Sequence, residues 1–154
     1  MVFICSGCVP HIYPLLEGTY YSEEEKANEY FTKAKYELSE ITKEQYEEAK
    51  GVNVFIDASS RGSNTKRYLL FELYLFCVAT DQYEQVTITN YEYNEGTRYF
   101  YDGYAKLQIG NNIYEGEVGG EFYFVGRAER ADLGVFYGTD YDFSAMFNLE
   151  QETE

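Results

Sequence analysis

The chain has 154 residues, which is enough for one domain and leaves little room for a second hydrophobic core. Apolar residues make up 45% of it and charged residues 25%, as in ordinary globular proteins, so wholesale disorder is excluded. The net charge is -15, from 27 acidic and 12 basic residues. This balance argues against nucleic acid as a partner, because binding a phosphate backbone requires Lys and Arg to displace counterions. A transmembrane helix is not predicted either, since no apolar run approaches the roughly 20 residues that a bilayer requires.

The first eight residues place the motif Cys5-Ser6-Gly7-Cys8 after a short apolar run. This motif resembles the end of a bacterial lipoprotein signal, in which a peptidase cleaves before the cysteine and the cysteine thiol is acylated. The resemblance implies a lipid anchor on Cys8, and a chain held at the extracellular face of a bacterial membrane. Residues 1–8 form a truncated signal, since a complete one has a basic start and an apolar stretch of roughly 7–15 residues. One interpretation is that translation starts upstream of Met1.

The cysteines also allow a second interpretation. Cys5, Cys8 and His11 have the spacing C-x2-C-x2-H, but a closed zinc site needs four ligands. The remaining cysteine, Cys77, lies in a strongly apolar run and is expected to be a small buried core residue. The sequence therefore predicts no metal site and no cofactor.

The first half of the chain contains a tether, a strand of ambiguous pattern and a short helix. Residues 9–17 hold both prolines and are predicted to be an extended tether, with the domain beginning near residue 18. Residues 27–41 match both helical spacing and strand alternation, and their aromatic and β-branched content favours a strand. Thr42 and Gln45 have the spacing of a capping box, which predicts a helix near residues 43–50.

The second half is predicted to be strands separated by turns. The predicted strand regions are 52–58, 67–80, 82–94, 97–109, 113–125 and 133–149, and residues 150–154 form an acidic tail. About seven to eight strands joined by short connections predict a mainly β domain over residues 18–149. The expected architecture is an antiparallel sandwich or a small barrel with one short helix.

Tyrosine is the main candidate for binding, since the chain has 18 Tyr and they cluster on the later strands. Within residues 97–109, simple alternation places Tyr101 on the face of Ala105 and Tyr104 on the opposite face. Exposed aromatic residues on a sheet stack on sugars or anchor a protein partner. The binding candidates are therefore Tyr101, Tyr104, Tyr123 and Tyr141, with a protein or a glycan as the ligand.

Acidic residues are the main candidates for catalysis. Glu115, Glu117 and Glu121 share one face of a predicted strand, about 7 Å apart where they are two positions apart, and this spacing overlaps that of an inverting glycosidase. A solvated outer face is the simpler interpretation. A Ser or Cys nucleophile would require a histidine base, and His11 in the tether is the only histidine. No catalytic residue is assigned.

Three hypotheses follow. The first is a non-enzymatic binding or accessory domain that is lipid-anchored or secreted. The second is a cytoplasmic acidic inhibitor that binds a basic protein, and the third is a carboxylate-dependent glycosidase.

The charge is unevenly distributed along the chain, because residues 78–154 carry 15 acidic and 4 basic side chains. This excess on the later strands fits the solvent faces of a β domain that stays soluble beside a membrane, or an acidic binding face.

Overall fold

The computed structural model describes residues 15–23, 28–57, 66–94, 97–125 and 128–149. The predictions for Cys5, Cys8 and His11, and for most of the tether and the acidic tail, lie outside these residues. In chain order, the elements are β1 (Gly18–Ser22), β2 (Phe31–Ile41), α1 (Lys43–Ala49), β3 (Val54–Asp57), β4 (Arg67–Cys77), β5 (Gln82–Thr89), β6 (Glu92–Asn94), β7 (Tyr99–Ile109), β8 (Asn112–Val125), β9 (Ala128–Tyr137) and β10 (Phe143–Leu149). Within the described residues, no helix has the length and apolar character needed to cross a membrane.

Eight of the strands form a closed antiparallel barrel. Their order is β1-β2-β4-β5-β7-β8-β9-β10, and β10 pairs with β1 to close the ring. Each of these eight strands pairs with the strand of the ring that comes before it and the one that comes after it along the chain, which is the up-and-down arrangement that leaves the ring without a free edge. The predicted mainly β fold is confirmed, and the choice between sandwich and barrel is settled as a barrel. The short strands β3 and β6 extend this ring by pairing with β4 and β7.

The segment 27–41, whose pattern matches both a helix and a strand, contains β2. It is a strand because both edges of β2 are paired. In β2, Tyr36 lies opposite Tyr20 of β1 on one side and opposite Leu73 of β4 on the other. The two ladders satisfy backbone groups that a helix would have satisfied internally. The predicted helix is also confirmed as α1, where Thr42 and Gln45 form the expected capping box.

The interior of the barrel is filled with aromatic side chains. Tyr20 and Tyr36 are fully buried and stack with their ring centroids 4.4 Å apart. Phe71, Phe100 and Phe122 continue the cluster, with centroid separations of 5.2 to 6.4 Å. Such separations are typical of tilted and edge-on aromatic packing, so this part of the barrel is a packed core.

A β-bulge in β7 corrects the predicted facing of its tyrosines. The register between β7 and β8 shifts between Phe100 and Gly103, and Asp102 has a φ of 58°. The extra residue changes the phase of the side-chain alternation. Phe100 is therefore buried in the core, while Tyr101 and Tyr104 both face outward instead of lying on opposite faces.

The segment 133–149 is two strands and not one. A turn at residues 138–142 separates β9 from β10, and a second bulge precedes it at Phe136. Phe136 has a φ of 62°, which is uncommon for a bulky residue. Its ring is fully buried, and the next residue, Tyr137, points outward.

The two ends of the barrel differ, and we name them the mouth and the base. The mouth is the end at which α1, β3 and β6 lie, together with the beginning of β7. The base is the opposite end, where Tyr30, Tyr114 and Tyr141 pack against one another.

Candidate binding site

The outer surface of β7, β8 and β9 carries a group of exposed tyrosines that we name the tyrosine wall. Its tyrosines are Tyr99, Tyr101, Tyr104 and Tyr137, and their exposed fractions are 49%, 38%, 40% and 47%. The strand register places two of them in one row across the three strands. Tyr104 lies opposite Glu117, which in turn lies opposite Tyr137.

Two hydroxyl groups of the wall are held by carboxylates. The Tyr101 hydroxyl donates a hydrogen bond to Glu92 Oε1 at 3.1 Å, and the Tyr104 hydroxyl donates to Glu115 Oε1. The hydrogen bond to each carboxylate is the main reason that the pKa of each tyrosine is raised, because the neutral phenol is the donor. Each ring is tethered at its hydroxyl while its side chain remains about two-fifths exposed.

The wall is acidic as well as aromatic. Among the described residues of β7, β8 and β9, five outward side chains are acidic and two are basic: Asp102, Glu115, Glu117, Glu121 and Asp132 against Lys106 and Arg130. In a second row of paired residues, Tyr99 lies opposite Glu121, which in turn lies opposite Asp132. Carboxylates therefore lie between and beside the tyrosine rings.

Glycine allows one tyrosine ring to lie flat on the wall. A Cβ built on Gly134 would stand 2.5 Å from Cζ of Tyr137, so the Tyr137 ring occupies the space above Gly134. Any larger residue at position 134 would displace this ring. The bulge at Phe136 and the glycine at 134 together fix the ring against the sheet.

The other two predicted binding residues have different environments. Tyr123 is half-buried, and desolvation is the main cause of its raised pKa, followed by the charge of Asp132. Tyr141 lies at the base, where its ring packs edge-on against Tyr114 at 5.0 Å. Its hydroxyl lies 3.2 Å from the backbone nitrogen of Glu115, which donates to it. Tyr141 thus supports the fold, whereas Tyr101 and Tyr104 present exposed side chains.

Two of the three carboxylates proposed for a glycosidase are exposed to solvent. Glu115 and Glu117 are exposed and Glu121 is half-buried, all on the outside of β8. A glycosidase requires one acid to be desolvated, so that the two acids differ in proton affinity.

In the described part of the chain, no three His, Cys, Asp or Glu side chains come together as a metal site.

Among the residues that the structure describes, two carboxylates are buried; both lie at the mouth, and sequence reasoning missed both. They are Asp57 and Glu129, each 1% exposed. Arg98 Nη2 donates to both oxygens of Glu129 at 3.0 Å, and the guanidinium also lies over the Phe124 ring at 4.7 Å. Arg67 Nη1 lies 4.0 Å from Asp57 Oδ2. The signal was present in the alternation, because Glu129 has the inward parity of Ala131 and Leu133.

Within the described residues, one concave region lies at each end of the barrel. A cleft of about 520 Å³ at the mouth is lined by aromatic residues that include Tyr46, Tyr91 and Tyr93. A smaller pocket of about 260 Å³ at the base includes Cys77 and Tyr30. Cys77 is 1% exposed, and burial raises the pKa of its thiol to about 11. The thiol is therefore protonated at neutral pH and a poor nucleophile, which agrees with its predicted role as a core residue.

Comparisons of the chain with protein-family models, curated proteins and solved structures find no match. The function therefore has to be inferred from the chemistry of the surface itself.

Proposed function

We propose that this protein is a non-enzymatic binding domain. Its tyrosine wall binds exposed Lys and Arg side chains of a protein partner. We further propose that it is held at the extracellular face of a bacterial membrane by a lipid on Cys8. The observation that carries the binding proposal is the composition of the wall. Four exposed tyrosines are interleaved with five carboxylates and only two basic residues within the described part of β7, β8 and β9.

This composition favours a basic protein over a sugar. Ionised carboxylates only accept hydrogen bonds, and the faces of tyrosine rings attract cations. A guanidinium or ammonium group finds both features on the wall, whereas a sugar also needs donors for its ring and hydroxyl oxygens. The hydroxyls of Tyr101 and Tyr104 already donate to carboxylates. The acidic field also attracts a basic partner before contact.

The environments of the acids support a binding role rather than hydrolysis. Four of the five carboxylates of the wall are exposed, and the desolvated carboxylate of Glu129 is engaged by Arg98. An acid held in an ion pair is not available to protonate a leaving group.

The binding proposal is tested with a Lys- and Arg-rich dodecapeptide as the probe. We expect the double variant Tyr101→Ser/Tyr104→Ser to bind it about 5- to 30-fold more weakly, because each exposed cation–π contact contributes about 0.5–1 kcal/mol. Titration calorimetry at two salt concentrations measures the change, and binding of the unmodified protein should weaken at high salt.

Tyr21→Ser is the matched control, because Tyr21 is 41% exposed on β1, outside the wall. Equal losses in the control and in the double variant would contradict the proposal. A β-glucan hexasaccharide that binds the wall with no salt dependence, while the peptide does not bind, would favour a glycan ligand instead.

The anchor is tested separately. In cells that make the protein from its own upstream sequence, we expect the mature chain to begin at a lipid-modified Cys8. Metabolic labelling with a fatty acid and mass spectrometry of the N-terminal peptide detect this modification. Cys8→Ser should abolish the label and Cys5→Ser should retain it. A mature protein that begins with unmodified Met1 would contradict the anchor and favour a cytoplasmic acidic inhibitor using the same wall.

A further inference from the structure

The segment just before β1, residues 15–17, crosses the mouth of the barrel, and we name it the strap. The Leu15 N–H donates to Asp57 Oδ2 at 3.2 Å, and the Leu15 carbonyl accepts from Arg67 Nη1 and Nη2 at 3.0 and 2.9 Å. The Glu129 carboxylate faces the Leu16 N–H, which opposes part of the rise that desolvation produces in the pKa of Glu129.

The remaining backbone group of these two residues is also bound by a side chain. The Tyr20 hydroxyl donates to the Leu16 carbonyl at 2.6 Å. Side chains of the barrel therefore bind the N–H and the carbonyl of Leu15 and the carbonyl of Leu16, and a fourth, Glu129, faces the Leu16 N–H. We name these four side chains the clamp: Asp57, Arg67, Glu129 and Tyr20. Recognition of backbone groups by fixed side chains is independent of the sequence that is bound, apart from what the side-chain pockets select.

One side-chain pocket accompanies the clamp. Leu15 is 1% exposed and belongs to the core cluster, whereas Leu16 is 39% exposed. An occupant of the clamp thus needs an apolar, leucine-sized residue at the first position and tolerates a solvent-facing residue at the second. The burial of one leucine side chain is worth about 1.5–3 kcal/mol.

The strap is separable from the sheet. Strand β1 begins only at Gly18, whose φ of 146° is a conformation that L side chains rarely adopt. The contacts that hold Leu15 and Leu16 come from side chains, and the ladder pairs of β1 begin at Gly18. Undocking of the strap would leave the closed ring of strands intact.

Buried polar atoms around the clamp have hydrogen-bonding capacity that the strap leaves unused. Arg67 Nε is buried and makes no hydrogen bond to the protein, although it lies 3.8 Å from Glu40 Oε1, and the buried hydroxyl of Tyr36, whose ring stacks on Tyr20, makes none either. Arg67 therefore keeps one donor that the two residues of the strap do not use.

We propose that the mouth of the barrel is a binding site for an extended peptide with a leucine-sized residue, and that the chain's own strap occupies it. The site is distinct from the tyrosine wall and does not depend on the function proposed for that wall. In the native chain the strap acts as an intramolecular competitor, because a short covalent link supplies a millimolar effective concentration.

A peptide supplied in trans tests the proposal on the full-length chain. The probe is acetyl-Tyr-Pro-Leu-Leu-Glu-Gly-amide, which copies residues 13–18. Leu15→Ser should undock the strap by removing its buried side chain while the clamp stays in place. We expect the Leu15→Ser chain to bind the probe at least about ten-fold more tightly than the native chain, in line with the effective concentration of the strap. NMR titration that follows Arg67 and Tyr20 measures the binding.

Two controls define the site. A probe with Asp in place of its first leucine should not bind, and adding Arg67→Met to the Leu15→Ser chain should abolish binding of the original probe. A folded Leu15→Ser chain that binds no probe would overturn the proposal, and so would equal binding of both probes.

Hydrogen exchange on the native chain gives an independent measurement that needs no variant. We expect the amides of Leu15 and Leu16 to exchange through a local opening, faster than the ladder amides of β1. Exchange of all these amides at one common rate would show that the strap opens only with the whole barrel, and the proposal would then be wrong.

Discussion

Arg98→Met is expected to lower the free energy of unfolding by about 3–5 kcal/mol, because it leaves the buried Glu129 carboxylate without its cationic partner. For a chain of this size, such a loss corresponds to a fall in Tm of roughly 6–20 °C. Glu129 is 1% exposed, so solvent does not replace the lost interaction. Thermal unfolding followed by circular dichroism measures the change.

The same variant should show a pH dependence of defined sign. Desolvation raises the pKa of Glu129 above its ordinary value, and the charge of Arg98 opposes part of that rise. Removal of Arg98 raises the pKa of Glu129 further. A carboxyl group whose pKa is higher in the folded state favours folding at low pH, and this contribution is lost as the pH rises through the folded-state pKa. The Tm deficit of Arg98→Met should therefore be larger at pH 8 than at pH 5.

The double variant Arg98→Met/Glu129→Gln separates the charge from the packing. A neutral glutamine at position 129 no longer needs a cation, so most of the lost stability should return. A loss below about 1 kcal/mol for Arg98→Met alone would contradict a buried ion pair at the mouth, since that is the range of surface pairs.

Phe100→Ala is expected to cost about 3–5 kcal/mol, because the Phe100 ring is fully buried among Phe71 and Phe122. Tyr101→Ala, at the next position, should change stability by no more than about 0.5 kcal/mol, since the Tyr101 side chain is 38% exposed. Urea denaturation with the two variants side by side measures both values.

This pair of variants tests the bulge directly. Without the extra residue at Asp102, the alternation that places Ala105 inward would also place Tyr101 inward and Phe100 outward. The order of the two effects would then be reversed. Equal costs at both positions would likewise contradict the phase change that the bulge produces.

Much of the fold could be predicted because its signals are local. The capping box of Thr42 and Gln45 specifies α1 within a few residues, and period-two alternation specifies the strands. Closure into a barrel could not be read in this way, because it depends on the pairing of β10 with β1 across most of the chain. Bulges at Asp102 and Phe136 are also invisible to alternation, since each adds one residue that shifts its phase, and Phe is an uncommon residue at positive φ.

The candidate sites likewise differ in whether local sequence signals could reveal them. Tyr101 and Tyr104 were recognised from composition, although their common facing required the bulge. The clamp was not recognised, because Asp57 and Glu129 are 72 positions apart in the sequence and meet only when the barrel closes around the strap. An acidic residue at an inward position of a strand is the clue that remains in the sequence. Glu129 before Ala131 and Leu133 is the clearer of the two cases.

The strap has a mechanical consequence. A pulling force applied to the chain on the N-terminal side of Leu15 loads the contacts of the clamp before it loads the backbone hydrogen bonds of β1. Its load is shared by Tyr20 on β1, Asp57 on β3, Arg67 on β4 and Glu129 on β9. Without the clamp, the same force would act on Gly18 alone and could peel β1 from its neighbours one pair at a time. A force applied from the N-terminal side is thus distributed over several strands, and the barrel resists it as a whole.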